Sequence, residues 1–259
     1  MQTHHRLRVS QGYSRDEIIG VPTYWKVGTF GVAQFEQNYD RELLARILEK
    51  ALALKDSLAF KRHLNLTFIR AAHRYIPEIN DLVFDPRRLR QLAELTGIDL
   101  EPYPVSVVSS TVTFMGPQEA DGTIGWHADG VPVTELIPLL IDDVEGGNLE
   151  LYRGPAETGL ALIESGQEIP REDRLSFRHK VGYSTVGQLL RILHRTEPIR
   201  RGYRVTLNLN LRSRSKPYID DNSLVYLGAD NPEEDWHAEY MTDIRSRQLP
   251  AYRAAMQVA

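Results

Sequence analysis

The chain has 259 residues, 42% of them hydrophobic and 25% charged, with a net charge of −4. That composition is globular, and its mildly acidic balance excludes a general affinity for nucleic acid or an anionic membrane surface. There is no cysteine, which excludes disulfides, thiolate metal sites and cysteine nucleophiles. No apolar run reaches the ~20 residues of a membrane helix. Met1-Gln2-Thr3-His4-His5-Arg6 lacks an apolar signal core, so the expected location is the cytoplasm.

Residues 1 to about 37 carry turn signals at Gly12, Gly20-Val21-Pro22 and Gly28, with Tyr24, Trp25, Phe30 and Phe35 between them. They read as a strand or arm packed on the core, or as a flap. Asn38 or Asp40 is placed to cap a helix in which Leu43, Leu44, Ile47, Leu48, Ala51 and Leu52 form one apolar stripe. Lys55 to Arg62 ends it. His63, Arg70, His73 and Arg74 form a basic cluster, suited to surface and capping duty or to anchoring a substrate. Asp85-Pro86 starts a second helix through Leu95, and Gly97 ends it.

From Val105 to Met115 the pattern turns β-branched, with Ser109, Thr111 and Thr113 on one face and Val108, Val112 and Phe114 on the other. Gly116 to Gly122 is a polar loop and a candidate lid. Leu136 to Ile141 predicts a buried strand in which Pro138 requires an edge or a bulge. Asp142 to Gly147 reads as a turn, Leu149 to Tyr152 and Gly159 to Ile163 as strands, and Ile169 to His179 as loop. Gly187 to Leu193 reads as a strand ending at His194. Residues 217 to 230 look like a covering segment. Asn231-Pro232-Glu233-Glu234 predicts the start of a helix running to about Arg247, with Pro250 interrupting it. The whole reads as one domain: a helical and mixed part over about 1–103, a β core over about 104–214, and a covering segment with a helix over about 215–259.

Two stretches carry the chemistry. Ile124-Gly125-Trp126-His127-Ala128-Asp129 places an imidazole and a carboxylate two residues apart, on one face if the backbone is extended. His194, brought in from a distant strand, would complete a set of two histidines and one carboxylate. Such a set leaves coordination positions open and suits a ferrous ion. The plainer reading makes His127 a hydrogen-bonded residue near a turn and Asp129 a turn residue before Gly130. The second stretch alternates Arg204, Thr206, Asn208, Asn210 and Arg212 with Val205, Leu207, Leu209 and Leu211. Its polar row is either a solvated outer face or the lining of a cavity. With His194 just upstream the cavity is preferred, and Arg204 with Thr206 then holds a carboxylate. His179 is the other histidine available as a ligand, but no Arg-x-Thr strand follows it at a comparable interval.

At these residues the chain resembles the Fe(II)/2-oxoglutarate-dependent dioxygenases. The resemblance lies in His127-Ala128-Asp129, His194, and Arg204 with Thr206. Glu145-Gly146-Gly147-Asn148-Leu149 is similar to the family's Gly-Gly turn between barrel strands. Pro77-Glu78 and Phe84-Asp85-Pro86-Arg87 resemble the phytanoyl-CoA-hydroxylase-like branch. The resemblance implies a mainly β fold with flanking α-helices around a double-stranded β-helix, or jelly-roll, core. It implies Fe(II) held by His127, Asp129 and His194, 2-oxoglutarate held by Arg204 and Thr206, and O2 as oxidant, with succinate and CO2 released. Halogenating relatives have a small residue in place of Asp129, so hydroxylation is expected, with desaturation or ring formation as further outcomes.

The expected partner is a small molecule bearing a carboxylate, such as a free or modified amino acid or a natural-product intermediate. Trp126, Arg70, Arg153 and Arg212 are its candidate contacts, with Trp126 equally suited to packing in the barrel. No nucleic-acid or membrane partner is expected. The oligomeric state is open, a homodimer being one option. Two other classes fit the residues: a different cupin-like metalloenzyme, hydrolase or isomerase, and a binding barrel without catalysis.

Overall fold

A computed structural model describes residues 7–22, 26–61, 67–118 and 124–258. Thirteen strands lie among them. These are β1 (Arg8–Ser14), β2 (Phe30–Glu36), β3 (Phe60–Lys61), β4 (Thr67–Arg70), β5 (Leu100–Pro102), β6 (Ser110–Met115) and β7 (Ile124–His127). They continue with β8 (Val133–Gly146), β9 (Leu149–Tyr152), β10 (Arg174–Phe177), β11 (Tyr183–Gly187), β12 (His194–Thr196) and β13 (Ile199–Ser213). A nine-stranded sheet runs β1-β2-β11-β8-β13-β6-β4-β3, with β5 also on β13, and a four-stranded sheet runs β10-β9-β12-β7. This is a mainly antiparallel jelly-roll core with flanking helices. The N-terminal residues form its edge arm, β1 on β2. Among the described residues no helix is long and apolar enough to cross a membrane.

The alternation of β13 decides the sidedness of the large sheet. Val205, Leu207 and Leu209 are buried in one cluster with Leu43, Leu44, Ile47 and Ala51 of the helix Arg41–Leu58, and with Ile76, Ile79 and Leu82. The helices therefore cover the apolar face, and the polar row turns inward. Each fully buried aliphatic side chain here contributes roughly 1.5–3 kcal/mol. The two helices predicted ahead of the β core form with their caps. Asp40 accepts from the backbone of Glu42 and Leu43, and Asp85 accepts from Arg87 at the start of Pro86–Thr96. Gly97 ends the latter in the left-handed region at φ 67°.

A buried ionic knot fastens this helical layer to the sheet. Arg88 donates from Nε to Glu135 Oε2 at 2.8 Å, and Tyr39 donates to Glu135 Oε1 at 2.5 Å. Both members of the ion pair have fully buried side chains. Removing one partner strands the other charge, at a cost of about 3–5 kcal/mol. Glu135→Ala should accordingly lower stability by about that amount in a denaturant melt, and a loss below about 1 kcal/mol would contradict the assignment.

Several elements depart from the expectation. Val105–Ser109 is not strand: Ser106–Ser109 form a helical turn and β6 starts at Ser110. Pro138, by contrast, meets the expectation as a bulge, inside the sheet and not at its edge. A register shift opposite it skips a residue, and β11 pairs only with Thr134 to Leu136, so its missing N–H costs no ladder bond. The expected turn over Asp142–Gly147 belongs mostly to β8, and the chain reverses at Gly146-Gly147. Ala156–Glu164 is a helix, not a strand; its alanine, leucine and glutamate favour it. A Cβ on Gly159 would stand 2.5 Å from Leu193, so the glycine admits close packing on the segment leading to His194. Residues 169–179, read as loop, contain β10. Residues 188–193, read as strand, are irregular, with Arg191 at φ 56°. Asn231 closes the helix Leu224–Asp230 instead of opening one, and the next helix is His237–Asp243. Pro250 falls in the first turn of Leu249–Val258, after a π-helical stretch that absorbs it.

Candidate active site

Strand pairing brings the two imidazoles together. β12 lies antiparallel to β7 with His194 directly opposite His127, and the ring centroids are 4.3 Å apart. Asp129 lies beyond the end of β7, not within it. Its position is set by a parallel bridge to Leu190 and by its N–H, which donates to Leu189 O at 3.3 Å. Asp129 Oδ1 is 3.7 Å from His127 Nε2 and 3.6 Å from His194 Nε2. One ligand atom from each of the three residues falls within 4.8 Å of the others.

The neighbours of these side chains orient them. His127 Nδ1 meets Gly125 O at 2.8 Å and His194 Nδ1 meets Ile192 O at 2.8 Å. A carbonyl only accepts, so each Nδ1 carries the hydrogen and each Nε2 keeps its lone pair for the site. Thr134 Oγ1 lies 3.0 Å from Asp129 Oδ2 and 3.0 Å from Asn210 Oδ1, donating to one of them at a time. Burial, with the His194 imidazole, pushes the His127 pKa down to about 4. Burial would raise that of Asp129, but the two imidazoles and Thr134 bring it down to about 2. Burial works to lower the His194 pKa, but the Asp129 carboxylate outweighs it and raises it, so a cation would take that Nε2 in place of a proton. The donor set is then two Nε2 lone pairs and an ionised carboxylate, which fits a divalent cation that keeps open positions.

The same cavity, about 290 Å³, is lined by Arg204, Thr206, Asn208 and Asn210 of β13 and by Thr111 and Thr113 of β6. This lies near the small end of small-molecule sites, about 300–1,000 Å³. Arg204 and Thr206 are almost wholly buried. Arg204 donates to Gly147 O and to Met115 Sδ, while its Nε and the Thr206 hydroxyl have no partner among the described residues. Burial lowers the Arg204 pKa to about 10, so the guanidinium stays charged at neutral pH. The Gly-Gly turn that supplies the Gly147 carbonyl is itself required: Gly146 has φ 86°, and a Cβ there would stand 2.2 Å from Pro198 O.

Asn222, Asp230 and Asn231 of the covering segment also line the cavity, as do Thr134 and His179. None of the five carries a local sequence signal for the site, His179 being only the less favoured ligand histidine. Asn231 was disguised by its helix-start neighbours, and the buried Trp236 fixes its loop by donating Nε1–H to Asn231 O at 3.0 Å.

Other sequence candidates lie elsewhere. Arg212 does not line the cavity: it is buried in a fork–fork pair with Asp243 at 2.6 and 2.7 Å and reaches Glu101 at 3.0 Å, which fastens the C-terminal helices. Arg153 is exposed and does not line the cavity. Trp126, half-buried, packs against the cluster of Tyr152, Ile169 and Leu193, and Arg195 stacks on it at 4.8 Å. Arg70 stacks on Phe60 at 4.2 Å, faces Glu234 at 4.0 Å, and lines an adjoining cleft that shares Asp230 with the main cavity. Arg74 reaches Glu234 at 3.5 Å and Glu239 at 3.4 Å. Tyr24, Trp25, His63 and much of the expected lid loop fall outside the described residues.

The covering segment has its own pH signature. Asp220 accepts from Tyr103 at 2.7 Å and from Asn222 N–H at 2.8 Å, yet burial pushes its pKa up to about 6. An unfolded aspartic acid titrates near 3.9. The folded state therefore binds the extra proton between those values. The stabilisation is complete below about pH 4 and is lost as pH rises through about 6, at most about 3 kcal/mol. Relative to Asp220→Asn, the wild type should lose about 2 kcal/mol between pH 4.5 and 7.5 in denaturant melts. Parallel pH profiles would contradict this.

Fold and site together define a class: a jelly-roll with a His-x-Asp…His cluster and a buried arginine in one cavity. No protein-family model and no curated protein matches this sequence. Solved structures do share the fold. The non-heme alpha-ketoglutarate-dependent epimerase SnoN from nogalamycin biosynthesis is 16% identical, with 71% of this chain and 78% of that chain covered, at a TM-score of 0.54. The carbocyclase SnoK from the same biosynthesis is 18% identical, with 71% and 80% covered, at 0.52. EctD from S. alaskensis, solved with bound Fe, is 15% identical, with 81% and 84% covered, at 0.53. The chain has the fold of the Fe(II)/2-oxoglutarate oxygenases.

Proposed function

We propose that this protein is an Fe(II)/2-oxoglutarate-dependent oxygenase that hydroxylates an unactivated C–H bond of a small molecule. The observation that carries this reading is the convergence of His127, Asp129 and His194 in the cavity that also holds Arg204. A metallohydrolase or isomerase would use the three ligands equally well. The three ligands alone give no role to the buried Arg204, whose Nε has no partner among the described residues. A diacid that chelates the metal at one end explains both features.

His127, Asp129 and His194 would hold the ferrous ion, their Nε2 and carboxylate atoms oriented by Gly125, Ile192 and Thr134. Bound there with 2-oxoglutarate, iron would supply the activation of O2 that oxidises the substrate, with succinate and CO2 as the coproducts. Arg204 and Thr206 bind the far carboxylate of the diacid and fix its reach along β13. Thr111, Asn208 and Asn210 offer hydrogen bonds to the bound molecules, while Asn222, Asp230 and Asn231 close the cavity and limit water. For a substrate carboxylate, Arg70 at the adjoining cleft is the sequence candidate nearest the cavity. An epimerase and a carbocyclase among the fold neighbours make hydrogen removal without oxygen transfer the alternative outcome. The test is O2-dependent formation of succinate from 2-oxoglutarate by iron-loaded protein, with small acids, amino acids and neutral compounds screened for acceleration. The reading predicts succinate that vanishes without O2 or iron. Its absence with every compound offered would sink it.

A further inference from the structure

Three residues that line the main cavity each carry a buried polar atom with no hydrogen-bond partner among the described residues: Arg204 Nε, Thr206 Oγ1 and His179 Nδ1. Buried polar groups are ordinarily satisfied, so three orphans sharing one cavity point to a missing acceptor. We propose that His179 is a third donor to the far carboxylate of the diacid, beside Arg204 and Thr206. The inference rests on the reading of this cavity as a 2-oxoglutarate site.

His179 lies in the connection between β10 and β11, away from the strands that carry the metal cluster. It is not part of the His127, Asp129 and His194 group. Burial, then the Arg204 charge, holds its pKa well below the ordinary histidine range. The imidazole is therefore neutral beside the guanidinium and has one N–H to give. A carboxylate has two oxygens and about four lone-pair sites, all acceptors. It can take Nε–H from Arg204, O–H from Thr206 and Nδ1–H from His179 at once. The Nδ1–H tautomer is then selected by the ligand, as backbone carbonyls select it in His127 and His194.

The test is anaerobic calorimetry on full-length protein loaded with Fe(II), using two probes. 2-Oxoglutarate has the far carboxylate, and 2-oxobutyrate keeps the chelating end without it. His179→Ala should weaken 2-oxoglutarate binding about 10- to 100-fold and leave 2-oxobutyrate unchanged. His179→Asn, which returns an N–H near the Nδ1 position, should recover most of the loss. Equal affinity of wild type and His179→Ala for 2-oxoglutarate would overturn the proposal, as would equal weakening for both acids. Metal-loaded wild type that binds no 2-oxoglutarate would instead overturn the oxygenase reading, and this proposal with it. A thermal melt of each variant separates loss of the donor from loss of the fold, and a His179→Asn that folds but shows no recovery would also overturn it.

Discussion

Asp129→Ala is expected to leave a folded protein that binds Fe(II) at least about 100-fold more weakly and makes no detectable succinate. Losing a group that merely orients a ligand commonly costs 10–100-fold in metal affinity, so losing a ligand should cost more. Asp129 also supplies the only negative charge in the cluster, and it stands between two imidazoles at 3.7 and 3.6 Å. Without it, two uncharged nitrogens remain to attract a dication. The fold should tolerate the change. Thr134 still has Asn210 as an acceptor, and the Asp129 backbone bond to Leu189 does not depend on the side chain. Metal content after equilibrium dialysis, read beside a thermal melt, checks both parts. Wild-type metal affinity in the variant would remove Asp129 from the site.

Arg204→Met is expected to have opposite effects on stability and binding. Arg204 donates to a carbonyl and a thioether, and its pKa is lowered to about 10 because burial opposes its charge. A base with a depressed folded pKa destabilises the folded state at every pH below that value, here by roughly 3 kcal/mol as an upper figure. An apolar side chain of similar length should therefore raise the stability of the ligand-free protein by about 1–3 kcal/mol, or several degrees in Tm. The same variant should bind 2-oxoglutarate about 10- to 100-fold more weakly and lose the thermal shift that the diacid confers on wild type. A variant that is less stable than wild type yet binds the diacid normally would make Arg204 a structural residue.

The contrast between what was and was not legible in the chain has a physical basis. The β13 alternation was plain, since Val205, Leu207, Leu209 and Leu211 repeat every second residue. Which of its faces met water was not, because that depends on the helix Arg41–Leu58 covering the apolar side. The caps at Asp40, Asp85 and Gly97 were readable because they are local hydrogen-bonding and φ preferences. The candidate metal ligands were readable as residue types, but their assembly depends on His194 pairing opposite His127, a long-range register that no local pattern encodes. Asp129 was expected within a strand and lies past its end, held by the irregular segment 188–193. Gly159 and Asn231 misled for one reason: each sits where a tertiary contact, with Leu193 or with Trp236, overrides the local signal. Arg212 looked like part of the polar row, and only the distant Asp243 and Glu101 show its structural use.

The most direct test of the account is an anaerobic titration of 2-oxoglutarate into the protein with and without Fe(II), followed by the visible charge-transfer band of the chelate. The account predicts a saturable band that requires metal and protein together, weakened by Arg204→Met and absent in Asp129→Ala. A protein that takes up Fe(II) at this cluster yet gives no band at any concentration of the diacid would contradict it.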